Sequence, residues 1–391
     1  MEKASTSTWD AYFSARAAER RDAGLARALR EFTPMPCGRA RVGGREVINL
    51  ASNDYLGLAA DPELLLPYLK EEGLPFGAGA SRLISGTHVI HAKLEAAIAA
   101  VRGYEAALYL PSGYQANLAA IQGLADAETA VFSDALNHAS LIDGCRLARA
   151  QVQVFAHRDY ASLEAMLAEA GEQRKMIVSD SLFSMDGDFA DLRKLAALSA
   201  KFDALLLVDD AHGFATVGAN GGGVPEVQGL RPNQISVVTG TFSKTLGGLG
   251  GYVCGSRALI DHLINVARPF IFSTGASPMQ CAASLAALRW SESKEANAAR
   301  IKLGRLATLM RDGLLKLGCE TGGDSQIVPL WLGEPQRAVE VSAALFEQGV
   351  LAPAIRPPTV PQGRAMIRFS LSAALSGEDV MRVLKAVGEA L

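Results

Sequence analysis

From about residue 104 the chain alternates short β-rich apolar runs with longer stretches whose apolar positions recur every three or four residues. The short runs are "AALYL", "AVFSD", "VQVFAH", "KMIVSD", "ALLLVDD", "ISVVTG" and "GYVCG". Between them lie "NLAAIQGLADAE", "HASLIDGCRLARA", "SLEAMLAEAGE" and "DLRKLAALSAKF". This rhythm predicts repeated strand–helix–strand units. A run such as "ALLLV", apolar without interruption, suits a strand covered on both faces, so the expected fold is α/β with a large, mostly parallel sheet. Past about residue 275 a long helical pattern leads to the strand candidates "IVPLWL" and "AMIRFSL" and a closing helix, which predicts a second, smaller α/β domain. The first 45 or so residues are charged and read as helical. The expected division is a helical arm over 1–48, a large domain over 49–275 and a smaller C-terminal domain over 276–391.

Composition narrows the function. A chain of 391 residues, 49% hydrophobic and 20% charged, can bury a large core in two or more folded units. A net charge of -3 argues against nucleic acid or an anionic membrane as the main partner, because either favours a basic face; a small molecule is the better default. The N-terminus has no apolar run of signal-peptide length and no segment reaches the roughly 18 apolar residues of a membrane span, so a cytoplasmic location is expected. The cysteines Cys37, Cys145, Cys254, Cys281 and Cys319 form no C-x-x-C pair; an odd count fits reduced thiols, and no metal is expected.

Ligands of such sheets bind beyond the carboxyl ends of the strands. The polar residues there are Asp134 and His138 after "AVF", Ser184 after "KMIVSD", Asp209 and His212 after "ALLLV", and Lys244 after "ISVV". Lys244 stands in "SVVTGTFSKTLGGLGG", where glycines allow close backbone approach and Thr241, Ser243 and Thr245 offer hydroxyls of the kind that hold a phosphate. Taken alone, the run is equally a surface lysine in a flexible loop. A carboxylate at the end of a buried strand is costly without a cation, metal or donors, so Asp209 needs a partner. A metal shared with His212 is one option, with an incomplete ligand shell; a protonated pyridine nitrogen is the other. Strand-end Asp209 together with strand-end Lys244 is far more specific than either residue. In "PSGYQAN" the amides of Gly113 and Tyr114 open a helix and suit an anion, although an ordinary turn capped by Ser112 reads as well. His138 opens "HASLIDG", as a structural residue or as a flat ring against a cofactor. "FGAGASRLISGTH" fails as a dinucleotide loop, since Arg82 occupies the third glycine's position and no strand leads into it.

With these pieces the chain resembles the fold-type I pyridoxal-phosphate transferases, which share the aspartate aminotransferase-like fold, and within them the α-oxoamine synthases. The likeness is carried by "SNDYLGL", "GASRLISGTHVIHAKLE", "SGYQAN", "NHASLIDG", "SLFSMDGD", "VDDAHG", "TFSKTLGGLGG" and "FSTGASP", and spans nearly the whole chain. The resemblance implies pyridoxal 5'-phosphate (PLP) in the large domain, with Lys244 as the Schiff-base lysine, Asp209 as the pyridinium partner, His138 stacked on the ring and His212 donating to its phenolic oxygen. It implies that Ser184 and Thr241 contact the cofactor or its phosphate with the Gly113 and Tyr114 backbone. It implies that Arg368 holds the amino-acid carboxylate with Asn53, that Arg30 and Thr359 contact the acyl substrate, and that Ser273 and Thr274 reach the phosphate of the partner subunit's cofactor in a homodimer. The segment "AIRPPTVPQGRAMIRFSLSA" is most similar to the branch of the family that works in biotin synthesis. That branch condenses L-alanine with a pimeloyl thioester, carried by CoA or an acyl-carrier protein, with loss of carbon dioxide; glycine with acetyl-CoA is the alternative. A non-catalytic partner or a regulator on the same fold is disfavoured by the presence of Lys244 and the lack of an added basic domain. The chain departs from the family pattern at Gly222, where relatives often carry arginine, and at Ala80, where they often carry glycine.

Overall fold

The computed structural model describes residues 7–27, 29–171 and 173–391. Ser7 caps the helix Thr8–Asp22 by accepting the Asp10 amide at 3.1 Å, and this helix buries none of its residues. Beyond it the expected helical arm gives way to three short antiparallel strands: β1 (Phe32–Met35), β2 (Arg39–Val42) and β3 (Arg45–Asn49). Gly43 and Gly44, at φ 57° and 80°, make the two-residue turn between β2 and β3, with Val42 opposite Arg45. The charged alternation that reads as helical is a strand with one wet face. Ala40, Val42 and Val47 pack inward while the arginines between them face out. Residues 1–6 and 28 of the expected arm lie outside the described residues.

Seven strands form the large sheet: β4 (Ala106–Leu110), β5 (Thr129–Asp134), β6 (Gln151–Phe155), β7 (Arg174–Asp180), β8 (Ala204–Asp209), β9 (Val237–Thr241) and β10 (Gly251–Gly255). Their order is β4-β10-β9-β8-β7-β5-β6, parallel throughout except that β10 runs antiparallel to both β4 and β9. Alternate residues feed two separate cores. Tyr109, Phe132, Ile177, Leu206, Val238 and Tyr252 enter one, and Leu108, Val131, Val178, Leu207, Val237 and Val253 the other. This is why the inner strands read as unbroken apolar runs, both faces being covered, whereas the edge strand β6 is exposed except at Phe155.

The long C-terminal helical pattern is two helices, Pro278–Ser291 and Lys294–Lys316, the second capped by Ser293. After them come β11 (Ile327–Gly333), β12 (Val350–Leu351), β13 (Ala354–Ile355), β14 (Ala365–Ser370) and the helix Gly377–Ala390. β14 lies between β11 and β13, and β12 pairs parallel with β3, which joins the N-terminal strands to the C-terminal part of the chain. No described helix is long and apolar enough to cross a membrane, and no metal-binding group of three or more His, Cys, Asp or Glu occurs among the described residues.

Candidate active site

Parallel strands bring their carboxyl ends to one edge of the sheet, so residues far apart in sequence meet there. Asp180 and Asp209 are register partners at the ends of β7 and β8. Lys244 follows β9 on a loop tied back to itself: the Phe242 amide donates to Gly250 O at 2.9 Å, Gly248 to Phe242 O at 2.8 Å and Gly247 to Lys244 O at 2.9 Å. Gly247, at φ 61°, lies so close to the Leu58–Ala59 backbone that a Cβ would stand 2.5 Å from the Ala59 nitrogen. The loop is therefore held, and the lysine with it.

Lys244 Nζ lies 2.7 Å from His212 Nε2, and His212 Nδ1 lies 2.7 Å from Tyr55 Oη. Tyr55 donates to Asn53 Oδ1 at 3.1 Å, and Arg368 Nη2 donates to the same oxygen at 3.2 Å and to Tyr55 Oη at 3.3 Å. Burial drives the Lys244 amine down to about 8 against the pull of the Asp209 and Asp180 carboxylates, with Arg368 adding to the depression. Burial, then Lys244 and Arg368, pushes His212 well below the ordinary imidazole range. A neutral ring donates from Nδ1 to Tyr55 and accepts from Lys244 at Nε2.

On the other side Asp209 accepts from Asn117 Nδ2 at 2.6 Å and from the Ala211 amide at 2.9 Å. Asn117 also donates to Ser140 Oγ at 2.8 Å, which lies 2.7 Å from His138 Nδ1. His138 caps the helix Ala139–Leu147, and its amide donates to Asp180 Oδ2 at 2.7 Å. Burial and the neighbouring Asp209 raise Asp180 well above the carboxylate range. In the helix Gly113–Leu124, Ser112 takes up the Gln115 and Ala116 amides, which leaves the Gly113 and Tyr114 N–H groups as the first-turn donors. Gly113 abuts Thr241 so closely that a Cβ would stand 3.0 Å from its Cβ.

The structure thus gathers Lys244, His212, Asn53 and Arg368 into one network and Asp209 and His138 into a second. Gly113 and Thr241 adjoin each other. Ser184 takes part through its carbonyl, which accepts from Arg368 Nε at 2.5 Å. Ser273 accepts from Gln115 Nε2 at 3.2 Å within its own chain, and Thr274 bridges to Ser81. Arg30 lies apart, its guanidinium 6.0 Å from the Phe346 ring, and Thr359 is exposed with its amide on Arg356 O. The sequence reading gave no role to Tyr55, Asn117, Ser140, Asp180 or Gln326, whose Nε2 donates to His212 O at 3.0 Å. Asp180 could have been found by the rule that flagged Asp209, a carboxylate ending a buried strand.

These groups fit PLP. A buried carboxylate wired to Asn117 suits a pyridinium, a lysine amine lowered to about 8 suits covalent attachment, and a glycine-tight helix start suits a phosphate. The profile of the aminotransferase class I and II family matches residues 45–387, and the chain belongs to that family. Among its relatives it is 44% identical over 376 residues to the 8-amino-7-oxononanoate synthase of Geobacter metallireducens, covering 94% of this chain and 95% of that one. It is 41% identical over 392 residues to the 8-amino-7-oxononanoate synthase of Cupriavidus necator, covering 96% and 97%. Its fold matches a serine palmitoyltransferase from S. paucimobilis solved with PLP and myriocin bound, at TM-score 0.90 and 30% identity over 99% of this chain and 98% of that one. It also matches the 8-amino-7-oxononanoate synthase of Francisella tularensis, at TM-score 0.74 and 26% identity over 88% and 97%.

Proposed function

We propose that the chain is a PLP-dependent acyltransferase that condenses L-alanine with a pimeloyl thioester, on CoA or an acyl-carrier protein, to give 8-amino-7-oxononanoate, carbon dioxide and the free thiol for biotin synthesis. The observation that carries this reading is the pairing of Lys244 and Asp209 at adjacent strand ends in a chain 44% identical along nearly its full length to a protein of that activity.

When bound, PLP supplies an electron sink for charge developing at the amino acid's Cα. Lys244 anchors the cofactor and, as a neutral amine at and above pH about 8, removes and returns the Cα proton at Nζ. His212 orients that amine and, in our reading, also meets the cofactor's phenolic oxygen. Asp209, held by Asn117, would keep the ring nitrogen protonated, and His138 would pack against the ring. Arg368 and Asn53 hold the L-alanine carboxylate, a task suited to a guanidinium fork. The Gly113 and Tyr114 amides would hold the phosphate end, and Thr241 and Ser184 would contact the cofactor or its phosphate. Arg30 and Thr359 meet the acyl substrate.

We read the active form as a homodimer in which Ser273 and Thr274 reach the partner subunit's cofactor. Support comes from the apolar side chains left open around them: Phe272 is 70% exposed, Phe76 86% and Ile84 81%. A cytoplasmic location is supported by five free thiols. Gly222 stays compatible with the site, since its amide donates to Glu226 and its carbonyl accepts from Arg102.

The test is a mass-spectrometric product assay with PLP, pimeloyl-CoA or pimeloyl-carrier protein, and L-alanine, glycine or L-serine in parallel. Formation of 8-amino-7-oxononanoate from L-alanine is expected. Turnover of glycine or L-serine alone would move the protein to a sister activity on the same residues.

A further inference from the structure

We propose that His157 is a positioning residue, whose imidazole ties the turn that carries His138 to the loop that anchors Arg368. The inference rests on the reading above, in which His138 meets the cofactor and Arg368 the amino-acid carboxylate. His157 follows β6 and touches neither. Its Nδ1 lies 3.0 Å from Asp134 Oδ1 and its Nε2 3.0 Å from Asp188 Oδ2, so both ring nitrogens are spent on carboxylates from different segments.

Each aspartate organises its own segment, Asp134 through its carboxylate and its carbonyl, Asp188 through its carbonyl. Asp134 ends β5; its Oδ1 also accepts the Leu136 amide at 2.8 Å and its carbonyl the Asn137 amide at 3.2 Å, which sets the turn leading into His138. Asp188 closes the loop after β7, where its carbonyl accepts the Phe183 amide at 3.0 Å and the Gly187 amide returns to Phe183 O at 2.9 Å. Ser184, whose carbonyl accepts from Arg368 Nε, sits inside that closed loop. The His157 ring also stands edge-on to Phe183, with centroids 4.4 Å apart. One side chain thereby spaces the two segments.

Neighbouring atoms reinforce the clamp. Arg158 donates its amide to Asp134 Oδ2 at 3.0 Å and its Nη1 to Asp188 Oδ2 at 2.9 Å, and it does so at φ 58°, a left-handed conformation that is costly for a non-glycine residue. Strain of that kind persists where surrounding bonds over-determine it. Burial alone would lower the His157 imidazole, but the bonds to Asp134 and Asp188 lift it to about 9, so it donates from both nitrogens near neutral pH. A neutral ring has a single N–H and could serve one carboxylate only.

The experiment compares the full-length wild type with His157→Gln and His157→Arg in steady-state kinetics, and by hydrogen–deuterium exchange on the apoproteins. The expected result for His157→Gln is a KM for L-alanine raised about tenfold, a KM for the thioester within about twofold, and faster amide exchange over residues 135–138 and 183–187. His157→Arg, which keeps the positive charge and donors on separate nitrogens, is expected to restore both readouts. Unchanged exchange and unchanged KM for L-alanine in His157→Gln overturn the proposal, as does uniform loosening of the whole domain without local change. Should His157→Gln not fold, Asp188→Ala removes one arm only and is expected to speed exchange over 183–187 and leave 135–138 protected; wild-type protection in both segments overturns it. Wild-type turnover of L-alanine tests the underlying reading separately, because exchange on the apoprotein reports the clamp whatever the substrate.

Discussion

Lys244 Nζ and His212 Nε2 stand 2.7 Å apart, a basic amine against a ring that its surroundings keep neutral. The contact is possible because both groups are depressed: burial leads in each case, Arg368 adds to both, and Lys244 adds to the depression of His212. The lysine is thus available as a nucleophile and base near physiological pH, and His212, backed by Tyr55, fixes where its nitrogen lies.

The Lys244 amine is expected to capture PLP covalently with a rate that climbs through pH 8 and levels off by about pH 9. Borohydride reduction followed by mass spectrometry of the apoprotein, mixed with PLP across pH 6.5–10, measures this. A rate still climbing toward pH 10, where an ordinary lysine titrates, contradicts the depression.

Arg368→Lys is expected to raise the KM for L-alanine about a hundredfold with kcat changed less than tenfold. Arg368 spends Nε on Ser184 O, Nη1 on Ser370 Oγ at 2.6 Å and Nη2 on Asn53 and Tyr55, and an ammonium cannot serve three directions of a planar fork. Steady-state kinetics with varied L-alanine decides it, and an unchanged KM removes Arg368 from the carboxylate site.

Arg102→Met is expected to cost about 3–5 kcal/mol, read by urea unfolding at pH 7. Arg102 Nη2 lies 3.0 Å from Asp210 Oδ2, both side chains are buried, and removing one partner strands the other's charge. The double variant Arg102→Met, Asp210→Asn should lose clearly less than Arg102→Met alone. Equal losses point to packing against Phe214, 4.6 Å below the guanidinium, as the larger contribution.

His157 makes stability depend on pH with a definite sign. Its folded value, about 9, lies above the ordinary 6.5, so its contribution is complete below about pH 6.5 and disappears as pH rises through about 9. The stability gap between wild type and His157→Gln, on the order of 2 kcal/mol at pH 6, should therefore close by pH 10. Denaturant unfolding at both pH values checks it; a gap that widens with pH is incompatible with a charged His157.

Local pattern was enough for the large sheet, because residues covered on both faces must be apolar whatever their neighbours, and "ALLLV" is β8 as read. It failed for the N-terminal segment. The run "RARV" buries one face and "REVIN" only its second half, and the Gly43–Gly44 pair between them is a hairpin signal that the abundance of arginine obscured. Ser184 also offers its carbonyl to Arg368, a main-chain contact that no side-chain pattern carries.

The sequence by itself determined which residues end the buried strands, and hence that Asp209 and Lys244 share one edge, since strand polarity alone puts them there. Only the tertiary structure decided their company. Tyr55 reaches His212 across 157 residues and Arg368 reaches Asn53 across 315. Such meetings depend on sheet order and on how the C-terminal strands seat against the large sheet. Periodicity records whether a position is buried; it carries no information about which distant position buries it.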